Sequence, residues 1–274
     1  MWLDTHCHLD APEFASHLGE VIEAAAKNQV QGILLPAVKS SDAANIRALV
    51  AQYAQSMPGL VYTLGIHPLY VEQCTQADLD LLASEVKEAL RDPRFVGIGE
   101  IGLDYFVEGL DRSRQAYFFE QQLDLAQAHD LPVVMHVRRS QDAILKALRQ
   151  RRIRGGIAHA FNGSMQQAEQ FIQLGFKLGF GGAATYSRAL QIRRLVTQLP
   201  LSSLVTETDA PDIPPAWLRD EGIAHNAPQF VSRIGAELAD LRQMNVVAFA
   251  AATWSNALTA LPRWSATLNL LNSK

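Results

Sequence analysis

Cysteine is scarce in this sequence: Cys7 and Cys74 are the only two in 274 residues. That excludes a disulfide framework and favours reduced thiols in a cytosolic protein. Long apolar runs are missing as well, and none approaches the roughly 18 residues that span a bilayer. The opening Met1-Trp2-Leu3-Asp4-Thr5-His6 has neither the basic start nor the apolar stretch of a signal peptide. The expectation is a cytoplasmic protein with no membrane association. Nor is there an excess of positive charge. With 24 Lys and Arg against 28 Asp and Glu the net charge is −4, so no whole-surface field draws in nucleic acid, and a polyanionic substrate would have to be attracted by a local site. Repeats, linkers and low-complexity tracts are also absent. Residues 1–274 are therefore expected to form one domain, with no obligate protein partner evident.

What the sequence does contain is alternation. Short apolar or β-branched runs at Trp2–Asp4, Gly32–Pro36, Leu60–Leu64, Phe95–Gly99, Pro132–Met135, Gly156–Ala158, Phe176–Phe180 and Leu204–Glu207 read as strands. Between them lie amphipathic stretches at Leu18–Ala26, Ala43–Gln55, Asp78–Arg91, Arg114–Ala128, Gln141–Arg149, Gln166–Leu174 and Leu190–Leu199. Asp78 is placed at a helix start and Gly175 at a helix end. Near-continuous apolar strands separated by helices imply a parallel sheet buried on both faces. Eight such units favour closure into a (β/α)8 TIM barrel over an open sheet. Gln229–Leu241 and Val246–Leu261 add C-terminal helices.

In such a barrel the reactive residues sit at the C-terminal ends of the strands. His6 and His8 follow the first strand, Glu100 the fourth, His136 the fifth, His159 the sixth and Asp209 the eighth. The i, i+2 spacing of His6 and His8 aims both imidazoles the same way. Four imidazoles and two carboxylates make a mixed nitrogen and oxygen set, suited to zinc, manganese or cobalt and less to magnesium alone. Six ligands exceed what one catalytic ion uses while keeping an open position, so two divalent metal ions bridged by a carboxylate fit better. His17, His129 and His225 lie in helical or loop contexts and are read as structural.

Two patterns are set aside. Gly97-Ile98-Gly99-Glu100-Ile101-Gly102 spells the dinucleotide-binding fingerprint, but no helix opens after it and Glu100 would put negative charge in the phosphate cradle. The basic cluster Arg149, Arg151, Arg152 and Arg154 precedes the sixth strand, which puts it on the barrel face opposite the metals.

Asp4-Thr5-His6-Cys7-His8-Leu9-Asp10, Gly65-Ile66-His67-Pro68, Gly99-Glu100-Ile101-Gly102-Leu103-Asp104, His136-Val137-Arg138, His159-Ala160-Phe161-Asn162-Gly163 and Glu207-Thr208-Asp209-Ala210-Pro211 appear in that order. The set resembles the TatD family of metal-dependent deoxyribonucleases, from residue 2 to about Asn256. Gly181-Gly182-Ala183-Ala184-Thr185-Tyr186 and Ala210-Pro211-Asp212 resemble its bacterial YjjV-type branch. The resemblance implies that His6, His8, Glu100 and Asp209 hold one ion, and that Glu100, His136 and His159 hold the other. It implies phosphodiester hydrolysis on DNA, of the 3′–5′ exonuclease type. His225-Asn226-Ala227-Pro228 departs from the family in the residue before Asn-x-Pro.

Roles follow from the chemistry. Asp209, beside the activated water, is the expected proton acceptor, with Glu100 the other catalytic carboxylate. Arg138, two residues after His136, should point the same way and grip a phosphate with its planar fork; a surface ion pair is its structural alternative. His67, Tyr186 and Arg188 are expected to contact substrate, although a core role for His67 stays open. Glu207 is read as an outer partner of a ligand histidine, and Asp104 as orienting Arg138. Trp217, in the long connection 210–228, either stacks on a base or packs against the last helices. Beside a nuclease, two readings remain: a metal-dependent deacylase or amidohydrolase acting on an ester or C–N bond, and a non-catalytic metal-binding scaffold. Glu100 stands where many such amidohydrolases carry a modified lysine.

Overall fold

The computed structural model describes residues 1–269. Eight parallel strands, β1 (Trp2–Asp4), β2 (Val30–Pro36), β3 (Gly59–Leu64), β4 (Phe95–Asp104), β5 (Val133–Arg138), β6 (Gly156–Ala158), β7 (Phe176–Phe180) and β8 (Leu204–Thr206), pair in sequence order. The ring closes where β8 meets β1: the Thr5 backbone N–H donates to Thr206 O at 3.1 Å, and the Thr206 hydroxyl to Leu3 O at 3.2 Å. This is the expected (β/α)8 TIM barrel. Helices α1 (Leu18–Lys27), α2 (Ala43–Tyr53), α3 (Gln76–Ala89), α4 (Arg112–Ala128), α5 (Gln141–Arg149), α6 (Met165–Gln173) and α7 (Leu190–Gln198) follow the first seven strands. Among the described residues, no helix is long and apolar enough to cross a membrane.

Alternation along the strands builds two apolar layers. Leu3, Leu34, Val61, Val96, Val134, Ile157 and Val205 fill the barrel interior, while neighbours such as Ile33, Leu35, Leu60, Tyr62 and Phe95 pack outward against the helices. The lower end of the interior is sealed by the C-terminal helices. Ala257 of α10 (Val246–Ala260) and Trp264 and Leu268 of α11 (Trp264–Asn269) join the interior layer, and Trp264 Nε1 donates to Gly59 O at 2.8 Å. The sequence reading ended its last helix at Leu261 and did not foresee α11.

Several boundaries differ from expectation. β4 continues to Asp104 and β5 to Arg138, so Glu100 and His136 lie within strands rather than after them. The Gly-x-Gly-x-x-Gly pattern is therefore strand interior, which removes it as a phosphate cradle. Asp78 is not the first residue of its helix. It is the third, and its carboxylate accepts the Thr75 N–H at 2.7 Å and the Thr75 hydroxyl at 3.1 Å, a capping box that starts α3 two residues earlier. Gly175 (φ +87°) closes α6 as expected, its N–H bonding Ile172 O. In the basic cluster, Arg149 bonds Gln170, Arg151 pairs with Asp124 and Glu120, and Arg154 with Asp130. The connection after β8 contains a short helix, α8 (Ala216–Asp220), before α9 (Val231–Leu241).

Candidate metal centre

Strand register brings the five other predicted ligands and His67 around one carboxylate, Glu100, which is buried. Its Oε2 lies 3.1 Å from His6 Nε2 and 3.6 Å from His8 Nε2. Its Oε1 lies 2.9 Å from His159 Nε2, 3.2 Å from His136 Nδ1 and 3.3 Å from His67 Nε2. Asp209 Oδ1 stands 3.6 Å from His6 Nε2 and 3.7 Å from His8 Nε2. Ring nitrogens face one another at 3.3 Å between His6 and His8 and at 3.4 Å between His136 and His159. Lone pairs opposed in this way need a proton or a cation between them, and carboxylate oxygens within reach supply the matching charge. The donor set thus fits divalent metal. Among the described residues, three groups of side chains have ligand atoms that converge: His6, His8 and Glu100; His6, His159 and Asp209; His67, Glu100 and His136.

The supports are built from neighbouring strand ends. The buried Asp4 accepts the Thr208 N–H at 2.9 Å and its hydroxyl at 2.6 Å, tying the end of β1 to the segment that carries Asp209. Asp209 N–H bonds His6 O at 2.8 Å, which fixes the two candidate ligands side by side. Asn226, also buried, donates to Thr208 O and Asp212 O, both at 2.8 Å, and so holds the turn after Asp209. Asp104 reaches the His136 ring as well as Arg138. Its Oδ2 accepts from His136 Nε2 at 2.9 Å, whereas Arg138 is 3.7 Å away, so it orients the histidine first. Glu207 accepts the Ala160 N–H through Oε1; it supports the backbone beside His159, while Oε2 has no hydrogen-bond partner.

Of the seven non-glycine residues with positive φ among the described residues, four (Arg139, Ala160, Asp209 and Ile213) line the cavity above Glu100. Strained backbone is concentrated where the ligands are aimed.

Electrostatics divides the group. Burial alone would raise the Glu100 carboxyl, but the imidazoles of His67, His159 and His6 outweigh it and hold it well below the usual range. Burial, with His159 and His8 nearby, keeps His6 neutral, well below the ordinary histidine value. His159 goes the other way: burial lowers it, but Glu100, Asp209 and Glu207 outweigh burial and push it up to about 10. Burial raises Asp209, Asp4 to about 7 and Glu207 to about 8.

The cavity above the centre holds about 900 Å³ and is lined by His8, His67, Glu100, His136, Arg138 and Asp209 among others. Through Asn162, Ala183, Ile192 and Ile213 it adjoins a second hollow of about 620 Å³. Tyr186 and Arg188 line that hollow; the Tyr186 hydroxyl is held on Pro214 O at 3.1 Å. Of the two readings open for Trp217, the structure has packing. It is 9% exposed, wedged edge-on against Phe230 and covered by Arg233 at 3.7 Å, with no free face for a base. His17, His129 and His225 lie outside both hollows. Asp4 and Asn226 were not anticipated, since an acid or amide that binds only backbone and hydroxyl groups has no motif of its own. His67 was expected as a substrate contact. Its position at the end of β3 obeys the same rule as the ligands.

The family described as TatD related DNase matches residues 3–262. Among curated proteins, the chain is 37% identical to the uncharacterized metal-dependent hydrolase YjjV of Escherichia coli K12, covering 94% of this chain and 96% of that one. It is 30% identical to the human protein named deoxyribonuclease TATDN3, covering 95% and 94%. The crystal structure of YjjV superposes with a TM-score of 0.88 over 95% of this chain and 98% of that one.

Proposed function

The chain belongs to the TatD-related DNase family and is a metal-dependent hydrolase, and from that premise we propose that it cleaves phosphodiester bonds of DNA at a dinuclear centre. One observation carries the reading: the two oxygens of Glu100 are divided between separate histidine sets, His6 and His8 on Oε2, and His136, His159 and His67 on Oε1. A carboxylate so shared is the natural bridge between two cations. His6, His8, Glu100 and Asp209 would hold one ion; Glu100, His136 and His159 would hold the other, with His67 beside them. Zinc, manganese and cobalt suit these donors better than magnesium. When bound, divalent ions supply a Lewis acid for a phosphoryl oxygen and make water acidic enough to attack near neutral pH.

The chain's own residues supply the rest. Asp209, raised by burial, accepts the proton that the attacking water gives up. Arg138 holds a non-bridging oxygen of the phosphate through its guanidinium. The Nδ1 of His67 accepts the Leu69 N–H at 3.2 Å, which leaves the proton on Nε2, the nitrogen that faces the centre. It acts there as a donor to substrate or to Glu100. Asp104 holds His136, and Glu207 holds the backbone beside His159. Tyr186 and Arg188 receive the substrate in the adjoining hollow. Two reduced cysteines, both buried, suit a cytoplasmic setting.

The human relative named a deoxyribonuclease supports this choice of substrate. The test is a substrate panel with protein loaded separately with zinc, manganese, cobalt or magnesium. It comprises end-labelled single-stranded DNA, bis(p-nitrophenyl) phosphate and an aminoacyl ester. Hydrolysis of DNA from its 3′ end is expected. Ester hydrolysis without phosphodiester hydrolysis would overturn the reading in favour of a deacylase.

A further inference from the structure

At the cavity mouth stands a large apolar ring, Phe106, 44% exposed. It is not loose. The Phe106 and Val107 N–H groups both donate to Asp104 Oδ1, at 2.8 and 3.0 Å, and the other oxygen of the same carboxylate holds His136. The ring and a candidate metal ligand are thus hung from one buried side chain. Two cations cover the ring: Arg138 Cζ lies 3.9 Å and Arg139 Cζ 4.6 Å from its centre. Consecutive strand residues normally point to opposite faces. Here the chain leaves β5 with φ +54° at Arg139, and that left-handed turn brings both guanidinium groups onto one phenyl. The acids of the cavity rim, Asp10, Glu13 and Asp212, follow β1 and β8 instead. The mouth is therefore cationic and aromatic on the β4–β5 side and anionic on the β8–β1 side.

One phosphate at the metal centre accounts for Arg138 but leaves Arg139 and the exposed ring without a task. We propose that Phe106 and Arg139 form a subsite for the nucleotide next to the bond that is cleaved. Phe106 stacks that nucleotide's base, and Arg139 takes the phosphate beyond it. The anionic rim turns the rest of the strand toward this side. The inference rests on the nuclease reading and adds to it that at least three nucleotides, with an unstacked base beside the cut, are needed to fill the site. Arginine on an exposed aromatic is weakly held, so both guanidinium groups can release the ring to a base, which stacks on aromatics whatever its identity.

The test compares Phe106→Ala and Arg139→Gln with the wild type on bis(p-nitrophenyl) phosphate, a dinucleotide, a trinucleotide and longer single strands. Metal content and thermal unfolding are measured in parallel. Phe106→Ala should lower the ratio of kcat/KM on the trinucleotide to that on bis(p-nitrophenyl) phosphate by about five- to 150-fold, the range that loss of one stacked base gives. Arg139→Gln should shrink the advantage of trinucleotide over dinucleotide. It should also reduce the salt slope of single-strand binding by about 0.7, one phosphate's share, in metal-free protein. Equal losses on every substrate would mean that the platform acts only through Asp104 and His136, and would overturn the subsite. So would variants that match the wild type throughout. A wild type that cleaves no DNA but hydrolyses the aminoacyl ester would remove the nuclease reading, and this subsite with it.

Discussion

The carboxylate of Glu207 occupies the space that a side chain on residue 179 would need. A Cβ built on Gly179 would stand 2.7 Å from Glu207 Oε1 and closer still to Oε2. The glycine in β7 is thus the condition for a buried acid in the segment after β8, and that acid in turn holds the Ala160 N–H beside His159.

Gly179→Ala should therefore act at a distance. The added methyl must push Glu207 off Ala160, at the roughly 1–3 kcal/mol that overpacking costs. The movement passes to His159, a candidate ligand. Lower thermal stability together with reduced metal content in elemental analysis is expected. Full metal occupancy with unchanged unfolding would show that the carboxylate relocates freely.

The proton on His159 makes a second expectation. The group is raised to about 10 by Glu100, Asp209 and Glu207. In the metal-free protein its contribution to stability is thus fully present below about 6.5 and is lost as pH rises toward 10. A cation needs that nitrogen unprotonated, so the dependence of metal affinity runs the other way. Affinity should rise with pH across this window, by up to about tenfold per unit for one displaced proton. Titration calorimetry in two buffers of different ionisation enthalpy should record proton release near neutral pH. Binding with no proton exchange would contradict this assignment.

The bridge is tested by Glu100→Gln, which keeps size and removes charge from between two cations. At least one ion should be lost. Turnover should fall by more than the roughly 10–100-fold that removal of an outer partner costs. Two ions per chain with near-normal rate, by elemental analysis alongside kinetics, would sink the bridging role.

The barrel was legible in the sequence because apolar runs and helical stretches alternate along the chain, so that even the three-residue strands β1, β6 and β8 fall into place by their position. The candidate ligands were legible because barrel topology gathers the C-terminal strand ends, whatever their separation in the chain. What escaped was set by tertiary contact. Trp264 lies beyond the last expected helix, yet it seals the barrel interior and bonds Gly59 O. Trp217 carries the same residue type in a proline-rich loop and is packed under Arg233, because Phe230 at the start of α9 offers it a wall. Asp104 was expected beside Arg138, which lies 3.7 Å from it, but the extra length of β4 and β5 also puts its carboxylate against the His136 ring. Pairings between strands obey register, and register is not written in one strand's sequence.

Trp264→Ala separates the seal from the site. Truncating a fully buried indole costs roughly 3–5 kcal/mol, and Gly59 O would lose its partner. The candidate ligands stand at the other end of the barrel. Unfolding should shift strongly downward while metal content of the folded protein stays at the wild-type level. Loss of metal in parallel with folded stability would mean that the two ends of the barrel are coupled.

Arg138 divides the two enzyme classes. Its guanidinium is half exposed, 3.7 Å from Asp104 and stacked at 3.9 Å on Phe106, so nothing in the fold depends strongly on it. It cannot give up a proton or bind a cation, and it matters to catalysis only if the substrate brings a phosphate to the centre. Loss of one charge-assisted hydrogen bond costs roughly 1.5–3 kcal/mol, or about ten- to 150-fold in rate at 1.4 kcal/mol per decade. Arg138→Ala should keep its metal and its unfolding temperature and lose that much in kcat/KM toward phosphodiesters. A neutral acyl ester, which has no anionic oxygen for the guanidinium to hold, should be turned over as before. If phosphodiester hydrolysis were untouched while ester hydrolysis fell, the cavity would belong to a deacylase, and Arg138 would be aiding a carbonyl rather than a phosphoryl group.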